Sequence, residues 1–334
     1  MTVAEIASAL AGSGAPGYSA GQIFSWLHKQ GARSFRKMTN LPASLRKQLE
    51  EQFSITTLSI VEEQRSKDGT LKFLVEFEDG LQVETVLLSE GRRKTQCVST
   101  QVGCTLGCVF CATASLGFKR NLTAGEIIAQ VEDITSYERR PGNLVFMGMG
   151  EPFLNYDNLM KAVRILNNPE GLNIGARKMT ISTAGIPEGI RRFAEEDIQV
   201  RLALSLNAAT DERRSRLMPV NKKHPLGEVL DSLRFYCEKT GRRITFEYVL
   251  VPGKNDSDAD LRHLIDLARD LDVNINLIEL NPGSRKMPDR TDRGLASKWK
   301  SALLNAGIEA VVRLPRGIDI NAGCGQLALR RKND

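Results

Sequence analysis

The hydrophobic positions of the chain change their spacing twice. Over the first 50 residues they recur at helical intervals, and Met38–Pro42 opens a further helix with proline near its first turn. From about residue 57 apolar and polar positions alternate, which predicts a small antiparallel sheet. Its strands are expected at residues 57–64, 71–77 and 81–88, with turns at Lys67-Asp68-Gly69 and Asp79-Gly80.

From about residue 95 onward, short β-rich runs alternate with helical segments. One predicted helix begins with the capping box of Thr123 and Glu126, and another begins at Ser257. Repeated β–α units imply a parallel sheet, either open or closed into a complete or partial barrel, with its chemistry at the carboxyl ends of the strands. The predicted strands are Thr95–Ser99, Asn143–Met147, Lys178–Thr183, Val200–Ser205, Thr245–Val251, Asn274–Leu280 and Glu309–Arg313.

Length and composition are those of a folded globular protein. The 334 residues are 41% hydrophobic and 26% charged, enough for one large α/β domain with an appendage or for two ordinary domains. The N-terminus has no basic region followed by an apolar run, and no stretch approaches the roughly 18 apolar residues that span a bilayer. We therefore expect a cytoplasmic protein without a membrane partner.

The net charge of +6 is compatible with a polyanionic partner, and the distribution of the charge says more. No acidic residue occurs between His28 and Leu49, and Arg92-Arg93-Lys94 and Lys119-Arg120 flank a cluster of cysteines. Basic runs of this kind either bind RNA phosphates or form ordinary solvated helix faces. The basic residues of the first run are Lys29, Arg33, Arg36, Lys37, Arg46 and Lys47.

Three of the six cysteines lie close together in a C-x3-C-x2-C motif: Cys104, Cys108 and Cys111. In an intracellular chain of this length, such spacing favours metal binding or catalysis over a disulfide framework. Three thiolates can bind three irons of a [4Fe–4S] cluster and leave the fourth iron open to a small ligand. A zinc site would need a further histidine or cysteine, and the three histidines of the chain are scattered.

Five further stretches match, in order, motifs of one known family. The cysteine motif after a first strand, with an aromatic residue before its last cysteine, resembles the radical S-adenosylmethionine (SAM) superfamily. The additional stretches resemble the adenosine C2 methyltransferases of 23S ribosomal RNA and tRNA, and the likeness runs from the helical N-terminal part to near the C-terminus. The stretches are Cys97–Cys104, Gly117–Leu122, Met147–Pro152, Leu217–Lys222 and Gly317–Leu327.

The resemblance implies an α/β fold, a partial (β/α)6 TIM-like barrel with a small helical N-terminal region and an antiparallel extension. Its expected divisions are a helical RNA-binding domain at 1–55, an antiparallel β linker at 56–94, and the barrel at 95–334 with a C-terminal methyl-carrier loop. It also implies one [4Fe–4S] cluster per chain and two SAM molecules per turnover.

The implied reaction uses two cysteines outside the cluster. Cys324 accepts a methyl group from one SAM, and a 5′-deoxyadenosyl radical from a second SAM takes hydrogen from that methyl. The carbon then adds to adenine, and Cys97 resolves the protein–RNA crosslink through a disulfide with Cys324. Adenine C2 and the methyl of SAM are both electron-poor, which independently favours a radical route. Glycines on both sides of Cys324 predict a mobile loop, whereas Cys237, in a helical stretch, is expected to be an ordinary buried thiol.

Further site residues follow from the same resemblance. Glu84 is expected near the target base, where it would remove the C2 proton or bind the adenine edge; otherwise it is a surface glutamate of a strand. Asn207 stands where relatives commonly have histidine, so its contact is less well defined. Strand-end polar groups of this kind also often serve the backbone alone. The residues implied to bind SAM are Gly150, Glu151, Ser182, Ser205, Leu206, Asn207 and Asn281.

Two other functions remain open from the sequence. The first is methylation of adenine C8 in 23S rRNA, as in resistance-associated relatives, although Pro152 and the long N-terminal segment favour C2. The second is a non-catalytic RNA-binding iron–sulfur protein, which would need neither Cys97 nor Cys324. For the methyltransferase we expect rRNA and tRNA as partners, an electron donor such as flavodoxin or ferredoxin, and a monomer. Its target adenine must lie in a loop or be flipped out.

Overall fold

The computed structural model describes residues 1–91, 93–138, 140–281 and 294–329. Its N-terminal part is helical, as predicted: a Thr2–Glu5 capping box opens the first helix, and Ile23 and Phe24 bury the inner face of the second. The chain then enters the sheet. The three helices are α1 (Val3–Ala9), α2 (Ser19–His28) and α3 (Ala43–Gln52).

Ten strands form one sheet, and two short strands form a separate hairpin. The strands are β1 (Ser59–Arg65), β2 (Leu71–Glu76), β3 (Gln82–Glu90), β4 (Arg93–Cys97), β5 (Gln101–Gly103), β6 (Phe118–Asn121), β7 (Asn143–Phe146), β8 (Met179–Thr183), β9 (Arg201–Ser205), β10 (Ile244–Leu250), β11 (Val273–Glu279) and β12 (Glu309–Arg313).

The sheet has an antiparallel and a parallel part. Strands β1 to β4 pair antiparallel, in the order β1-β2-β3-β4. From β4 onward the order β4-β7-β8-β9-β10-β11-β12 is parallel throughout, so all seven strands predicted after residue 95 are present. The described residues show no pairing between the edge strands β1 and β12. The predicted antiparallel strands are therefore an extension of the open parallel sheet through β3 and β4.

Helices follow the parallel strands as β–α units require. The predicted caps are confirmed, because Thr123 and Ser257 each form a capping box at the start of a helix. Among the described residues no helix is long and apolar enough to cross a membrane. The helices are α4 (Ala124–Tyr137), α5 (Tyr156–Asn167), α6 (Pro187–Ala194), α7 (Asp211–Leu217), α8 (Leu226–Thr240), α9 (Asp258–Arg269) and α10 (Leu295–Asn305).

The hairpin of β5 and β6 was not predicted from the sequence. These strands have three and four residues and pair antiparallel with an irregular register between Val102 and Gly103. Runs this short do not show a readable alternation of apolar and polar positions. The hairpin matters because its connection, residues 104–117, contains the three clustered cysteines; we call this connection the cysteine loop.

Candidate active site

The cysteine loop is closed at its base by backbone contacts. The amide of Cys104 donates to the Gly117 carbonyl oxygen at 3.1 Å. Gly103 has φ of +76°, and a Cβ there would lie 1.6 Å from the Gly117 oxygen, so that only glycine fits. The loop therefore leaves the sheet through a turn that fixes where Cys104 begins.

The three thiols of the loop lie near one another. Burial, opposed by a hydrogen bond from Leu106, raises the pKa of Cys104 to about 11, and burial followed by the charges of Cys111 and Cys104 raises the pKa of Cys108 further. In the described part of the chain, no three histidine, cysteine or acidic side chains are arranged to hold a single metal ion. A [4Fe–4S] cluster does not need such a group, because each cysteine binds a different iron. The donor set fits that cluster, and its loading would displace the thiol protons.

Helix α7 supports the loop from behind. The Val109 amide donates to the Leu217 carbonyl at 3.0 Å. Arg214, fully buried, donates to the carbonyls of Ala184 at 2.5 Å and Leu206 at 3.1 Å. Burial lowers the pKa of Arg214 to about 10, against the opposing charges of Cys108, Asp211 and Glu151. Arg214 was not predicted as a site residue. The only feature of the sequence that pointed to it was its place on a short helix between two matched motifs.

Glycines at the end of β7 allow the chain to pass close to β5. A Cβ added to Gly148 would lie 2.6 Å from Ser99 Oγ. A Cβ added to Gly150, which has φ of +101°, would lie 2.6 Å from Gln101 Cβ. Glu151 is buried, and its carboxylate accepts hydrogen bonds from Thr183 Oγ1 at 2.7 Å, Ala184 N at 2.8 Å and Phe153 N at 3.1 Å.

These partners limit what else Glu151 can bind. Burial raises its pKa, against the hydrogen bonds from Ala184, Thr183 and Phe153. A carboxylate offers about four acceptor positions, so one remains for the amino group expected from the sequence. The contact between Glu151 and SAM stays a prediction.

The other residues implied to bind SAM lie at neighbouring strand ends, but they are not equally available. Ser182 Oγ and Ser205 Oγ are 3.2 Å apart at the ends of β8 and β9. Buried Asn281 has no hydrogen-bond partner for Oδ1 among the described residues, which suits a ligand contact. Asn207, with φ of +56°, uses its amide internally, accepting from Val249 N at 2.9 Å and donating to Met218 Sδ at 3.2 Å. The Leu206 carbonyl accepts from Arg214.

Residues 317–329, here called the carrier segment, lie against the cysteine loop. The Ala112 amide donates to the Gly325 carbonyl at 2.7 Å, and Thr113 Oγ1 donates to the Leu327 carbonyl at 2.8 Å. A Cβ on Gly325 would lie 3.0 Å from the Phe110 carbonyl oxygen. Glycine at 325 thus allows a close approach between the two segments as well as a positive φ.

Cys324 and Cys97, far apart in sequence, lie close enough for the charge of Cys324 to act on the Cys97 thiol. Cys324 is exposed and Cys97 half-buried, and both are free thiols. Burial, followed by the charge of Cys324, raises the pKa of Cys97 to about 12. Desolvation by the surrounding protein is the largest cause that raises the pKa of Cys324 to about 11, and the charges of Glu247 and Cys111 follow. Part of the Cys324 side chain is nevertheless exposed to water. Asn281 Nδ2 donates to the Cys324 carbonyl at 3.2 Å.

Glu84 lies on β3 as predicted, but its side chain does not face solvent. Its side chain is fully buried, with Lys72 Nζ 2.9 Å from Oε1. Oε2 accepts from the amides of Ala328 at 2.7 Å and Leu329 at 3.1 Å. The interpretation as a surface glutamate is wrong, and the expected contact with the target base stays a prediction.

The predicted basic patches are partly neutralised. Arg33 is paired with Glu132 and Asp133 of α4, and Arg120 with Asp79 and Glu126, so both hold the fold together. Lys29, Lys37 and Lys119 are exposed. Arg92 lies outside the described residues. Cys237 is half-buried in α8, apart from the other cysteines, as expected.

Comparison with known proteins places the chain in a family. Residues 98–265 match the Radical SAM superfamily, and residues 1–55 match the ribosomal RNA large subunit methyltransferase N-terminal domain. The chain is 45% identical to the "Probable dual-specificity RNA methyltransferase RlmN" of Geobacillus kaustophilus, over 100% of this chain and 93% of that protein. The protein of the same name in Thermotoga maritima is also 45% identical, over 99% and 97% of the two chains. The chain belongs to the RlmN family.

The structural comparison agrees with the RlmN assignment. A radical SAM methyltransferase from Sphaerobacter thermophilus superposes with a TM-score of 0.93 at 46% identity, covering 99% of this chain and 98% of that one. SuiB of Streptococcus suis, at 16% identity and a TM-score of 0.51, shares the fold alone. Membership of RlmN confirms the expected radical SAM methyltransferase and its mixed α/β fold.

Proposed function

We propose that the protein methylates C2 of an unpaired adenosine in 23S ribosomal RNA and in tRNA, with Cys324 as the methyl carrier and Cys97 as the resolving thiol. One observation carries the proposal. The segment that contains Cys324 lies against the cysteine loop, where the Ala112 amide donates to the Gly325 carbonyl at 2.7 Å and Thr113 Oγ1 donates to the Leu327 carbonyl at 2.8 Å. Cys97 ends β4, close enough to Cys324 for the charge of one thiol to act on the other. A scaffold that only bound RNA would have no need for two further free thiols beside the cysteine loop.

The donor set of Cys104, Cys108 and Cys111 would hold the [4Fe–4S] cluster, with Gly148, Gly150, Ser182, Ser205 and Asn281 around the space for SAM. When bound, the cluster supplies the electron that makes SAM a source of a hydrogen-abstracting radical. Arg214 would hold the ends of β8 and β9 at a fixed spacing beside this space, through its hydrogen bonds to the Ala184 and Leu206 carbonyls. The requirement for two SAM molecules per turnover is part of the proposal.

The chain's own thiols would then do the transfer. Cys324 accepts a methyl group on Sγ, and after hydrogen abstraction its carbon bonds to adenine C2. Exposure of Cys324 suits this step, because its carbon must reach RNA outside the protein.

The adduct would give up one electron, which the cluster or another acceptor would take, and lose the C2 proton to a base, which restores the aromatic ring. The Cys97 thiolate then attacks the Cys324 sulfur and forms the disulfide. The electron pair of the broken sulfur–carbon bond goes to the carbon, which takes up a proton and leaves as the methyl group of the base. Both cysteines return to the thiol state after reduction.

RNA recognition would involve the N-terminal helices. Residues 1–55 match a ribosomal RNA methyltransferase domain, and Lys29, Lys37 and Lys119 offer exposed positive charge. We propose action in the cytoplasm as a monomer, with a flavodoxin or ferredoxin as reductant. The close match of the whole chain to relatives named dual-specificity RNA methyltransferases supports action on both RNAs. The choice of C2 over C8 is supported by Pro152 and the long N-terminal segment.

The deciding experiment is reconstitution followed by nucleoside mass spectrometry. The anaerobically loaded protein is incubated with SAM, a reductant and either protein-free 23S rRNA or unmodified tRNA. We expect 2-methyladenosine from both RNAs with the native chain and with Cys237→Ala, and none with Cys324→Ala. A product of 8-methyladenosine would refute C2 selectivity, and modification of one RNA alone would refute dual specificity.

A further inference from the structure

Part of the cysteine loop is open to water. Thr105, Gly107 and Val109, which lie among the clustered cysteines, are exposed. At this point the loop lies against the chain that ends α7. The Val109 amide donates to the Leu217 carbonyl at 3.0 Å, and a Cβ added to Gly107 would lie 3.8 Å from Pro219 Cγ. The exposed part of the loop and the segment after α7 therefore form one surface.

The segment after α7 is held rigidly. It is a short 3-10 helix, Pro219–Lys222, with proline in its first turn. Buried Asn221 fixes it from inside, because its Nδ2 donates to Asp211 Oδ1 at 2.7 Å and its Oδ1 accepts from Arg214 at 2.8 Å. A surface that is already ordered loses little conformational entropy when a partner docks on it.

Two lysines at the end of this segment give the surface its charge. Lys222 and Lys223 are exposed, and within the described ranges neither forms an ion pair. By contrast, Arg213 and Arg216 of α7 are each paired with a carboxylate. The free positive charge beside the cysteine loop therefore comes from the two lysines. The surface, here called the lysine face, consists of Thr105, Gly107, Val109, Pro219, Lys222 and Lys223.

The lysine face and the carrier segment use different parts of the cysteine loop. The carrier segment contacts Phe110, Ala112 and Thr113, further along the loop. The apolar residues of the lysine face are the aliphatic Val109 and Pro219, whereas surfaces that bind unpaired RNA commonly offer aromatic rings for base stacking. A small aliphatic centre with charges at its rim is typical of a weak protein–protein contact.

The position of the face suits electron transfer. Thr105 follows Cys104 directly, and Gly107 and Val109 stand on either side of Cys108. A protein docked on this face would be one residue of chain away from two of the expected cluster ligands. Positive charge at the rim would attract and orient a partner with an acidic surface.

We propose that the lysine face is the docking site of an acidic electron-donor protein that reduces the cluster. The inference rests on the proposed function, because a cluster that must be reduced for SAM cleavage needs such a partner. The donor protein is oxidised by one electron, the cluster takes up that electron, and no bond or proton moves in the step. The contact should be small and weakened by salt.

The test reverses the charge of the face and leaves the cysteines unchanged. The test variant is Lys222→Glu with Lys223→Glu. The matched control is Arg262→Glu with Lys300→Glu, because these two residues are exposed on α9 and α10 and the change in net charge is the same. A milder variant, Lys222→Gln with Lys223→Gln, replaces the first if charge reversal impairs folding. Iron content and melting temperature are recorded for each protein after anaerobic reconstitution.

Three measurements follow on the reconstituted proteins. The first is the dissociation constant for oxidised flavodoxin and for oxidised ferredoxin, by calorimetry at low and physiological ionic strength. The second is RNA methylation driven by the reduced donor protein, and the third is RNA methylation driven by dithionite, which needs no docking surface. In the test variant we expect the dissociation constant to rise about tenfold or more, because two attractive charges become repulsive.

The two reductants should then give different results. Methylation driven by the donor protein should fall in the test variant by a factor similar to the change in affinity. Methylation driven by dithionite and the iron content should stay the same. The control variant should match the native chain in all three measurements.

Three results would overturn the proposal. The first is that neither donor protein binds the native chain, and the second is an unchanged affinity for both in the test variant. The third is an equal loss of methylation with dithionite together with weaker binding of RNA, which would assign the lysine face to RNA. If the native chain forms no methyladenosine with dithionite, the proposed function fails, whereas the comparison of dissociation constants still decides the docking site.

Discussion

The cysteine loop and the carrier segment face each other, yet they are held in opposite ways. The cysteine loop is closed by its own hairpin, β5 and β6, and supported by neighbouring α7. The carrier segment belongs to no strand, and its supports come from residues far away in sequence. These are the side chains of Asp68, Glu84 and Asn281 and, on the cysteine loop, Ala112 and Thr113. Local closure suits a loop that must hold three thiols at fixed distances, whereas separate remote ties suit a segment whose thiol must meet more than one reactant.

The cysteine loop and the carrier segment should respond differently to mutation. A locally closed loop should fail as a unit when one of its internal contacts is changed. A segment with several remote ties should loosen by steps, because each tie can be removed while the others remain. The following changes test this difference.

The largest effect is expected from Cys104→Ala in the cysteine loop. Loss of one of three ligands should remove the cluster, so that iron content, brown colour and SAM cleavage are all abolished after anaerobic reconstitution. Cys237→Ala, at a half-buried cysteine of α8, is the control and should retain all three. Full iron retention by Cys104→Ala would contradict the assignment of the ligand.

Cys97→Ala should stop the reaction later, at the carrier segment. Without the resolving thiol, the carbon that joins Cys324 to adenine cannot be released, so RNA should stay covalently bound to the protein. Gel mobility and peptide mass spectrometry measure the adduct, and SAM cleavage should persist for the first turnover. Normal turnover without an adduct would show that Cys97 does not resolve the intermediate.

An intermediate effect is expected from Gly103→Ala at the base of the cysteine loop. Its Cβ would overlap the Gly117 carbonyl at 1.6 Å, and the positive φ adds strain. We expect a loss of about 3 kcal/mol or more in the free energy of unfolding, with impaired iron binding. Gly107→Ala is the matched control, because Gly107 also has a positive φ, +68°. A Cβ at Gly107 would have Pro219 as its nearest neighbour at 3.8 Å, so only the backbone strain remains and we expect a loss of about 1 kcal/mol in the free energy of unfolding. Equal melting temperatures for the two variants would contradict the steric argument.

The two segments also differ in how far the sequence could predict them. The cysteine loop was found from Cys104, Cys108 and Cys111, because ligand spacing within eight residues is a local property. The seven parallel strands were found for the same reason, since the alternation of short β-rich runs with helical segments is also a local pattern. Cys324 was found because it lies, between two glycines, in a motif that matches the family.

What held Cys324 in place was not predictable. The contact between Glu84 and the amides of residues 328 and 329 joins two parts of the chain that no local pattern relates. Lys72 looked like an ordinary polar position of an alternating strand, and only the pairing of β2 with β3 buries it beside Glu84. The internal bonds of Asn207 could not be predicted either: its side-chain amide accepts from Val249 N and donates to Met218 Sδ, and its contact with SAM stays a prediction.

The smallest effect concerns the remaining tie, Asp68. Burial acts to raise the pKa of Asp68, but hydrogen bonds from Gly317, Thr70 and Ser66 lower it to about 2. Because the folded pKa lies below the ordinary 3.8, the stabilisation is complete above about pH 4 and is lost as the pH falls through 2. At pH 7, Asp68→Asn should reduce the free energy of unfolding by about 1 kcal/mol, a value discounted because the side chain is largely exposed.

The change at Asp68 should be local as well as small. Hydrogen exchange of residues 317–322 should rise in Asp68→Asn at pH 7, while exchange in the cysteine loop stays the same. The difference between variant and native chain should shrink toward pH 2, because the native carboxylate then takes up a proton. Asp157→Asn is the control, because Asp157 of α5 forms an exposed pair with Arg192 of α6, and it should leave the carrier segment unchanged. If Asp68→Asn also loosened the cysteine loop, the two segments would be a single unit and the contrast between local closure and remote ties would be wrong.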